Sequence, residues 1–423
     1  MISRRRRIVL TGAWGGGKTT LIQELQADKR YRDRVITLPE AAPQTRRDGY
    51  DPSSLLYEKM VLEMQHCLED KAEAPQYPAD FRLVIVHRGA LDALGFWLYS
   101  GRQVEEFFHL TGAALEEELA RYDAIILLRS TAHDAGDIYA RYRQEKDRGT
   151  SDEAIRLEDC LERAWSEHPR FFSIPNKGLG WREKADLAHE IIDPWLDFVP
   201  ATMAEVNNRL DQLTYPSTHQ YHVDENHRMH PSPTASARLD ELSQILPHHS
   251  WQSMIDIGCG KGMFLIWAAQ RFHLKRVTGI DTSSEMIHTA RLAADYLGAP
   301  ATFLLGRLDQ FHPILKPADL VMMFHCFHYV YFSPSIPVEP SKLHEYWFSM
   351  IASITTDTLV FANALDLTAK QAAYCRQQGV SEDLVASYNE KGILEAASRY
   401  FDLQPFSLGG GRPLILMRKK DAA

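Results

Sequence analysis

Short apolar runs alternate along this chain with longer segments of helical periodicity. In the N-terminal half the runs lie at residues 8–10, 34–38, 83–86 and 123–128. Polar turns bound each run and helical segments separate them, which is the pattern of a parallel sheet covered by helices on both faces. We therefore predict an α/β fold with a three-layer parallel sheet for this half.

A second series of the same kind occupies the C-terminal half. Strands are predicted at residues 254–257, 277–281, 302–306, 319–324 and 358–362, helices at 235–246 and 263–272, and a closing antiparallel hairpin at 403–406 and 413–417. A chain of 423 residues has room for two to three domains. We predict domain boundaries at 1–199 and 235–423, with a linker and cap at 200–234.

A glycine-rich turn joins the first apolar run to a helical segment. The turn has the pattern of a phosphate-binding P-loop, in which backbone N–H groups converge on phosphate at a helix N-terminus. Lys18 is expected to contact the β- and γ-phosphates, and the Thr19 hydroxyl to bind Mg²⁺. ATP or GTP with Mg²⁺ is therefore the predicted ligand. The binding candidates are Gly12, Gly15, Gly16, Gly17, Lys18, Thr19 and Thr20.

A second glycine-rich turn follows the strand at 254–257, and an acid ends the next strand about 20 residues later, as in Rossmann-type sites that hold ribose hydroxyls. That spacing alone does not separate a dinucleotide from S-adenosylmethionine (SAM). Two sequence motifs at this site resemble those of class I SAM-dependent methyltransferases. They are Asp256-Ile-Gly258-Cys-Gly260-Lys-Gly and, further along, Gly-Ile-Asp281-Thr-Ser-Ser-Glu-Met286. The resemblance implies a Rossmann-like methyltransferase domain.

The same resemblance assigns roles around the cofactor. Gly258 and Gly260 would pack against the methionine part of SAM, Asp256 would orient its ammonium group, and Asp281 would accept hydrogen bonds from the ribose. Met286 would flank the adenine. Arg307 stands where relatives often carry an acid for the adenine amine, so Asp309 is the nearest substitute.

The acceptor side is predicted from the segment after the fourth strand of this series. His325 and His328 are candidate general bases for a hydroxyl acceptor, because histidine titrates near physiological pH. In the cap, Tyr221 is the preferred ligand contact, with His222 and His230 as weaker candidates. The histidines at 219, 222, 227 and 230 do not have the spacing of a zinc site.

The N-terminal half, over residues 6–197, resembles the P-loop AAA-type ATPase and kinase family related to nicotinamide-riboside kinase. The P-loop, the Pro39-Glu40-Ala41 turn, the Arg88-Gly89-Ala-Leu-Asp92 turn and a basic stretch at 142–148 carry that resemblance. It implies that Glu40 is a general base or acceptor ligand. The other catalytic candidates are Arg88 and the lid cations Arg143, Lys146 and Arg148.

One position departs from that family. Relatives usually have an acid before Arg-Gly at the third strand end, whereas this chain has His87. The departure leaves open a domain that only binds nucleotide. A remodelling ATPase is not favoured, because no sensor arginine, arginine finger or helical lid domain is identified in the sequence.

The composition limits the kinds of partner that the protein is expected to bind. The formal net charge of −9 argues against a broad nucleic-acid surface, and we expect the run Arg4 to Arg7 to be a solvated start of the first strand. The five cysteines show no paired spacing, and neither a signal peptide nor an apolar stretch of about 20 residues is seen. We expect a cytoplasmic protein acting on a small molecule, and the sequence does not predict its oligomeric state.

These observations predict a bifunctional enzyme. It would phosphorylate a hydroxyl of a small or sugar-like molecule and methylate the same scaffold or its phosphate. Two alternatives stay open: a methyltransferase regulated by a non-catalytic nucleotide-binding domain, and an RNA-end kinase and methyltransferase.

Overall fold

The computed structural model describes most of the chain and divides it into two compact units, Met1–Phe198 and Val199–Ala423. The described residues are 5–73, 81, 83–146, 149–176, 178–196, 201–213, 219–246, 250–334, 336–407 and 413–420. The α/β fold class predicted for both halves is confirmed.

The first unit is built on a five-stranded parallel sheet of order β2-β3-β1-β4-β5. Its strands are β1 Arg6–Thr11, β2 Val35–Leu38, β3 Leu83–His87, β4 Ala124–Leu128 and β5 Phe171–Ile174. Its helices are α1 Lys18–Ala27, α2 Lys29–Arg32, α3 Ala41–Arg47, α4 Tyr57–Ala72, α5 Ala90–Tyr99, α6 Val104–Thr111, α7 Leu115–Ala120, α8 Gly136–Lys146, α9 Ser151–Trp165 and α10 Trp181–Leu196. The first four strands lie where the apolar runs predict them, and β5 is an addition.

The central position of β1 follows from its composition. Ile8, Val9 and Leu10 are fully buried, as expected for a strand covered on both faces. Leu10 pairs with His87 of β3, so the loops that follow β1 and β3 leave the sheet side by side. That edge holds the P-loop.

Of the basic run at the start of β1, Arg4 lies outside the described residues, and Arg6 and Arg7 are not solvated as expected. Arg7 is buried, and its guanidinium pairs with the fully buried Glu69 of α4 at 3.0 Å. Arg6 pairs with Asp123 at 2.9 Å. The prediction of a solvated start was wrong because these arginines compensate carboxylates that lie far away in the sequence.

The second unit contains a seven-stranded sheet of order β10-β9-β8-β11-β12-β14-β13 and a separate hairpin, β6-β7. Its strands are β6 Tyr221–Val223, β7 Met229–Pro231, β8 Ser253–Ile257, β9 Arg276–Asp281, β10 Ala301–Leu305, β11 Ala318–Phe324, β12 Thr355–Ala362, β13 Phe401–Ser407 and β14 Pro413–Lys419. Its helices are α11 Met203–Gln212, α12 Pro233–Ile245, α13 Met263–Phe272, α14 Ser284–Tyr296, α15 Leu308–Phe311, α16 Phe327–Tyr331, α17 Leu343–Ser353, α18 Ala369–Gln377, α19 Glu382–Ser387 and α20 Glu390–Tyr400.

The cap predicted at 200–234 forms a helix and a hairpin of this unit. Val206 and Leu210 of α11 and Tyr221 of β6 are fully buried in the same core as the sheet residue Met254. The predicted closing hairpin is present, since β13 and β14 pair antiparallel. Among the described helices, none is both long and apolar enough to cross a membrane.

Candidate functional site

The P-loop of the first unit connects the end of β1 to the start of α1. Gly12 has φ 126°, and a Cβ there would collide with the Leu128 carbonyl at the end of β4. The loop therefore packs directly on the neighbouring strand. Gly17 caps α1 in the left-handed conformation, and Gly15 and Gly16 lie between these two points.

Lys18 is folded beneath this loop. Its buried amino group donates to the carbonyls of Gly12 and Ala13, both at 2.8 Å. Burial, and then the nearby positive charge of Arg88, lower the pKa of Lys18 to about 7. Thr19 and Thr20 are exposed on the first turn of α1, where a hydroxyl can contact a metal ion.

A second buried lysine holds the loop from the other side. Lys184 of α10 donates to the Gly16 carbonyl at 2.9 Å, to the Arg129 carbonyl at 2.6 Å and to Asn176 Oδ1 at 2.8 Å. Burial lowers its pKa to about 8. Sequence reasoning missed Lys184, since a lysine on an amphipathic helix has no local signal for a buried role.

Glu40, predicted as base or acceptor ligand, lies at the N-terminus of α3 but makes no side-chain cap there. Its Oε1 is 3.2 Å from Arg88 Nε and 3.3 Å from His87 Nε2. Burial disfavours its ionisation, but the charge of Arg88, with a smaller contribution from Lys18, outweighs that cost and lowers the pKa of Glu40. The carboxylate is therefore ionised near neutral pH.

His87 contacts this carboxylate as a neutral ring. Burial lowers its pKa to about 4, despite the opposing effect of Glu40. The short contact is therefore no ion pair near pH 7. A neutral imidazole stands where the predicted resemblance to nicotinamide-riboside kinase leads us to expect an acid.

Asp92 organises this corner and was not predicted as a site residue. Its carboxylate accepts from Thr11 Oγ1 at 2.7 Å, Arg88 Nη1 at 2.9 Å and Trp165 Nε1 at 3.1 Å. Arg88 is buried between Asp92 and Glu40 with φ 68°, a backbone conformation that non-glycine residues rarely adopt. A signal existed, because an acid three residues after Gly89 has the spacing of a helix capping box.

The remaining charged groups of the first unit's site are Glu58 and the predicted lid cations. Burial raises the pKa of Glu58 on α4 to about 8, although Arg102 and Arg88 oppose the shift, so this acid is protonated near neutral pH. Of the predicted lid cations, Arg143 is exposed on α8. Arg148 and the side chain of Lys146 lie outside the described residues.

The second unit has a cavity of about 430 Å³ at the carboxyl ends of β8, β9 and β11. The side predicted to face the cofactor includes the glycine-rich turn after β8, the acid at the end of β9 and the residues after β10. The residues that line the cavity include Asp256, Gly258, Gly260, Asp281, Phe264, Phe324, His325, Cys326 and Tyr329.

Two carboxylates mark the cofactor side of this cavity. Asp281 accepts from Gly260 N and Ser283 N, both at 2.9 Å, so backbone donors hold each of its oxygens in place. Asp256 is buried, and its burial, together with the charge of Asp281, raises its pKa well above the ordinary value. Gly258 has φ 75°, and a Cβ there would lie 2.6 Å from Cys326 Sγ.

Six predicted site residues of this unit do not line the cavity. Tyr221 is fully buried and donates to the Lys261 carbonyl at 2.7 Å, so it supports the glycine-rich turn from behind. Asp309 accepts from Tyr346 Oη at 3.3 Å, whereas its neighbour Arg307 lines the cavity. Met286 lies on the first turn of α14, with its amide directed to the Ser283 hydroxyl at 3.4 Å.

His328 is the fourth. It is buried on α16 with its ring 4.0 Å from that of Tyr329, and burial lowers its pKa to about 4. The weaker candidates His222 and His230 are exposed on the β6-β7 hairpin, where they contact Asp211 and Asp224.

His325 does line the cavity, directly after β11. It has φ 57°, and its amide donates to the Ala362 carbonyl at 2.9 Å. Asn363, buried beside it, accepts from the amides of Cys326 and Phe327, both at 2.9 Å. Arg238 of α12 lies 2.9 Å from His325, between Nη2 and Nε2. Sequence reasoning missed Asn363 and Arg238, because each acts through contacts distant in the chain.

Comparisons with known proteins match the two units separately. Residues 7–181 match the family described as an AAA domain, and residues 254–336 match the family described as a methyltransferase domain. No curated protein matches the chain. The specific relation to nicotinamide-riboside kinase stays a prediction.

Several solved structures are weakly similar. They include the PH0226 protein from Pyrococcus horikoshii OT3 (17% identity, 49% of this chain and 97% of that chain, TM-score 0.33). A SAM dependent methyltransferase from Aquifex aeolicus has 15% identity over 53% of this chain and 100% of that chain, with a TM-score of 0.33. Magnesium protoporphyrin IX methyltransferase from Synechocystis PCC 6803, with bound SAH, has 16% identity over 56% and 99%, with a TM-score of 0.31. At these scores the likenesses bear on neither substrate nor partner. The family matches, in contrast, show that the chain carries an AAA-type domain followed by a methyltransferase domain.

Proposed function

We propose that this chain is a bifunctional enzyme. Its first unit transfers a phosphoryl group from ATP or GTP to a hydroxyl of a small molecule. Its second unit transfers a methyl group from SAM to the same scaffold or to the new phosphate. The observation that carries the proposal is that each unit sets a glycine-rich turn beside charged side chains at the carboxyl edge of its parallel sheet, where ligands of such folds bind.

The cavity of the second unit fits a SAM molecule. Its volume of about 430 Å³ lies in the range of small-molecule sites. The Asp281 carboxylate keeps lone pairs for ribose hydroxyls beyond the two backbone bonds that it accepts. A cofactor ammonium beside Asp256 would supply the positive charge that favours the ionised carboxylate. SAM itself supplies the electrophilic methyl group, and the residues of the cavity align the acceptor with it.

The first unit fits a nucleoside triphosphate with Mg²⁺. Lys18 now donates to loop carbonyls, and phosphate oxygens are stronger acceptors for the same ammonium group. The exposed Thr19 hydroxyl would bind the metal ion. Among the described residues no cluster of three or more metal-ligating side chains is found, and Mg²⁺ held by a triphosphate needs only one or two protein ligands.

The phosphoryl acceptor would bind on the other side of the P-loop. The ionised Glu40 carboxylate would orient its hydroxyl, with Arg88 holding that carboxylate in place. Arg143, and Arg148 outside the described residues, would act as lid cations that balance charge on the transferring group.

One observation favours a second candidate function. His87 is a neutral ring against Glu40, where the related kinases usually have an acid. A P-loop unit without that acid would bind nucleotide without transferring phosphate and would regulate the methyltransferase.

The test is a metabolite extract incubated with the full chain, Mg²⁺, ATP labelled with ¹⁸O in its γ-phosphate, and deuteromethyl SAM. Mass spectrometry then identifies products with either label. Lys18→Ala should remove the phosphate label and Asp281→Asn the methyl label. The matched controls, exposed Lys29→Ala and exposed Asp240→Asn, should leave both.

A product with both labels would support the bifunctional enzyme and reveal its substrate. Methylated product that never carries ¹⁸O would overturn the kinase half and favour the regulatory candidate. Absence of both labels from every product would overturn the proposal.

A further inference from the structure

A buried arginine contacts the histidine of the methyl-transfer cavity. Arg238 of α12 is 8% exposed, and its Nη2 lies 2.9 Å from His325 Nε2. Its guanidinium lies over the rings of Phe264 at 5.1 Å and Phe324 at 5.2 Å, which also line the cavity. Both rings favour a cation at this place.

Only one assignment of the His325 proton satisfies this contact. A guanidinium has only N–H donors and does not lose its proton in proteins. His325 Nε2 must therefore accept, and a neutral imidazole whose Nε2 accepts carries its proton on Nδ1. Protonating Nε2 would place two donors and two positive charges 2.9 Å apart.

The backbone keeps His325 in this position. Its left-handed φ of 57°, its amide bond to the Ala362 carbonyl and the Asn363 amide behind the next two residues fix the turn after β11. The backbone that carries the His325 ring is therefore held in place next to Arg238.

We propose that Arg238 is a positioning residue that holds His325 as the neutral Nδ1–H tautomer, so that His325 serves methyl transfer as a hydrogen-bond donor and not as a general base. The role of His325 as a hydrogen-bond donor rests on the proposed methyl transfer, whereas its tautomer does not. Sequence reasoning assigned the opposite role to His325. An oxyanion is the acceptor that takes such a donor best. Its lone pair forms the new O–C bond while the C–S bond breaks, the pair of electrons returns to sulfur, and no proton moves.

Other titratable groups share the cavity with His325. Any pH effect on the ring must be separated from theirs. They are His219, Asp256, Cys259, Lys261, Asp281, Arg307, Cys326 and Tyr329.

The direct test is nitrogen NMR of the full chain with ¹⁵N-labelled histidine, without substrate. The chain has 18 histidines, so His325→Gln identifies the signals. We expect His325 to show a protonated Nδ1 and to stay neutral below the ordinary histidine value of about 6.5, because Arg238 disfavours a second positive charge beside it. In Arg238→Met the ring should titrate near that ordinary value and populate both tautomers. Arg271→Met, which removes an exposed arginine of α13, should change neither property.

Activity supplies the second readout. In the wild type, a plot of kcat for methyl transfer against pH should show no inflection that is due to His325, so His325→Gln should remove none. Arg238→Met should introduce an inflection that is due to His325. Arg238→Lys keeps a donor cation and should restore part of the flat profile. If Arg238→Met does not fold, Arg238→Lys and the wild-type spectrum still decide the question.

A wild-type His325 protonated on Nε2, or titrating near pH 6.5 beside Arg238, would overturn the proposal. So would a wild-type inflection abolished by His325→Gln. If no methyl transfer is found at all, the proposed function fails, while the NMR result still decides the tautomer.

Discussion

At the scale of single residues, the P-loop is held by two buried lysines. Lys18 and Lys184 donate to carbonyls of the same loop, at Gly12 and Ala13 on one side and at Gly16 on the other. Because both amino groups engage carbonyl oxygens, they compete for no backbone N–H group that a phosphate would need. The two lysines differ in one respect, since Lys184 also donates to Asn176 Oδ1 and to the Arg129 carbonyl, outside the loop.

This arrangement predicts that nucleotide binding takes up a proton through Lys18. Burial, and then Arg88, lower its pKa to about 7 in the free protein, and a bound triphosphate should raise that pKa. Because the bound state then holds more protons, affinity is full below about pH 7 and falls as the pH rises above it. Titration calorimetry of ATP at about pH 7.5, in buffers of different ionisation enthalpy, measures the uptake.

The control for this prediction is the pair Lys18→Met and Lys29→Met. Both remove a lysine of the first unit, but only Lys18 lies under the loop. Protons that ATP itself exchanges appear in every variant. Equal uptake by the wild type and by Lys18→Met would contradict the prediction.

At the scale of elements, the turn after β11 shows what the sequence can and cannot predict. The strands β11 and β12 were predictable because each is a buried apolar run, and their register places Phe324 beside Ala362. The residues that follow, His325 and Asn363, therefore lie together at the sheet edge. Their hydrogen bonds were not predictable, since the two lie far apart in sequence. The strand β5, Phe171–Ile174, was not predicted, although it has the same length as the predicted strand β2.

The contacts of Asn363 in this turn predict that Asn363→Ala destabilises the second unit measurably. Asn363 is 1% exposed, accepts from two amides and donates to the Met323 carbonyl at 2.8 Å. The variant leaves these buried groups unpaired, which should lower the free energy of unfolding by about 1–3 kcal/mol. Urea unfolding measures it, on the transition that S-adenosylhomocysteine shifts. The exposed Asn208→Ala of α11 is the control, and a loss no larger than its own would refute the role of Asn363.

At the scale of the whole molecule, the sequence predicted both glycine-rich turns and the acids near them. Asp281 and Gly258 lie in the cavity because their motif is continuous along the chain, and the fold of that motif is local. Lys184 and Arg238 were missed, since each gains its role from partners on other elements, whereas Asp92 was missed although its capping-box spacing is local. Tyr221 was predicted as a ligand contact but supports the glycine-rich turn from inside the core. Local pattern thus predicts which loops form a site, and long-range packing decides which side chains line it.

Two binding sites on two compact units predict two separate ligand effects on unfolding. A ligand at 100 times its Kd stabilises the state that binds it by about 2.7 kcal/mol. For a unit of this size that raises the melting temperature by about 5–10 °C, at 2–4 °C per kcal/mol. In calorimetry of the full chain, ATP with Mg²⁺ should raise one transition and S-adenosylhomocysteine the other. At the ligand concentrations used for the wild type, Lys18→Ala should reduce the first shift alone, and Asp281→Asn the second alone.

The same experiment separates the two candidate functions. Two catalytic units working in sequence need no energetic coupling, so each ligand should leave the affinity of the other unchanged. A regulatory P-loop unit requires coupling, and linkage makes that coupling reciprocal, typically 5-fold to 150-fold. We expect ATP to change the affinity for S-adenosylhomocysteine by less than about 2-fold, below that range. The regulatory candidate instead predicts a reciprocal change of about 5-fold or more, which Lys18→Ala would lose and Lys29→Ala would keep. In that case the first unit, with a neutral His87 against Glu40, would sense nucleotide without transferring phosphate.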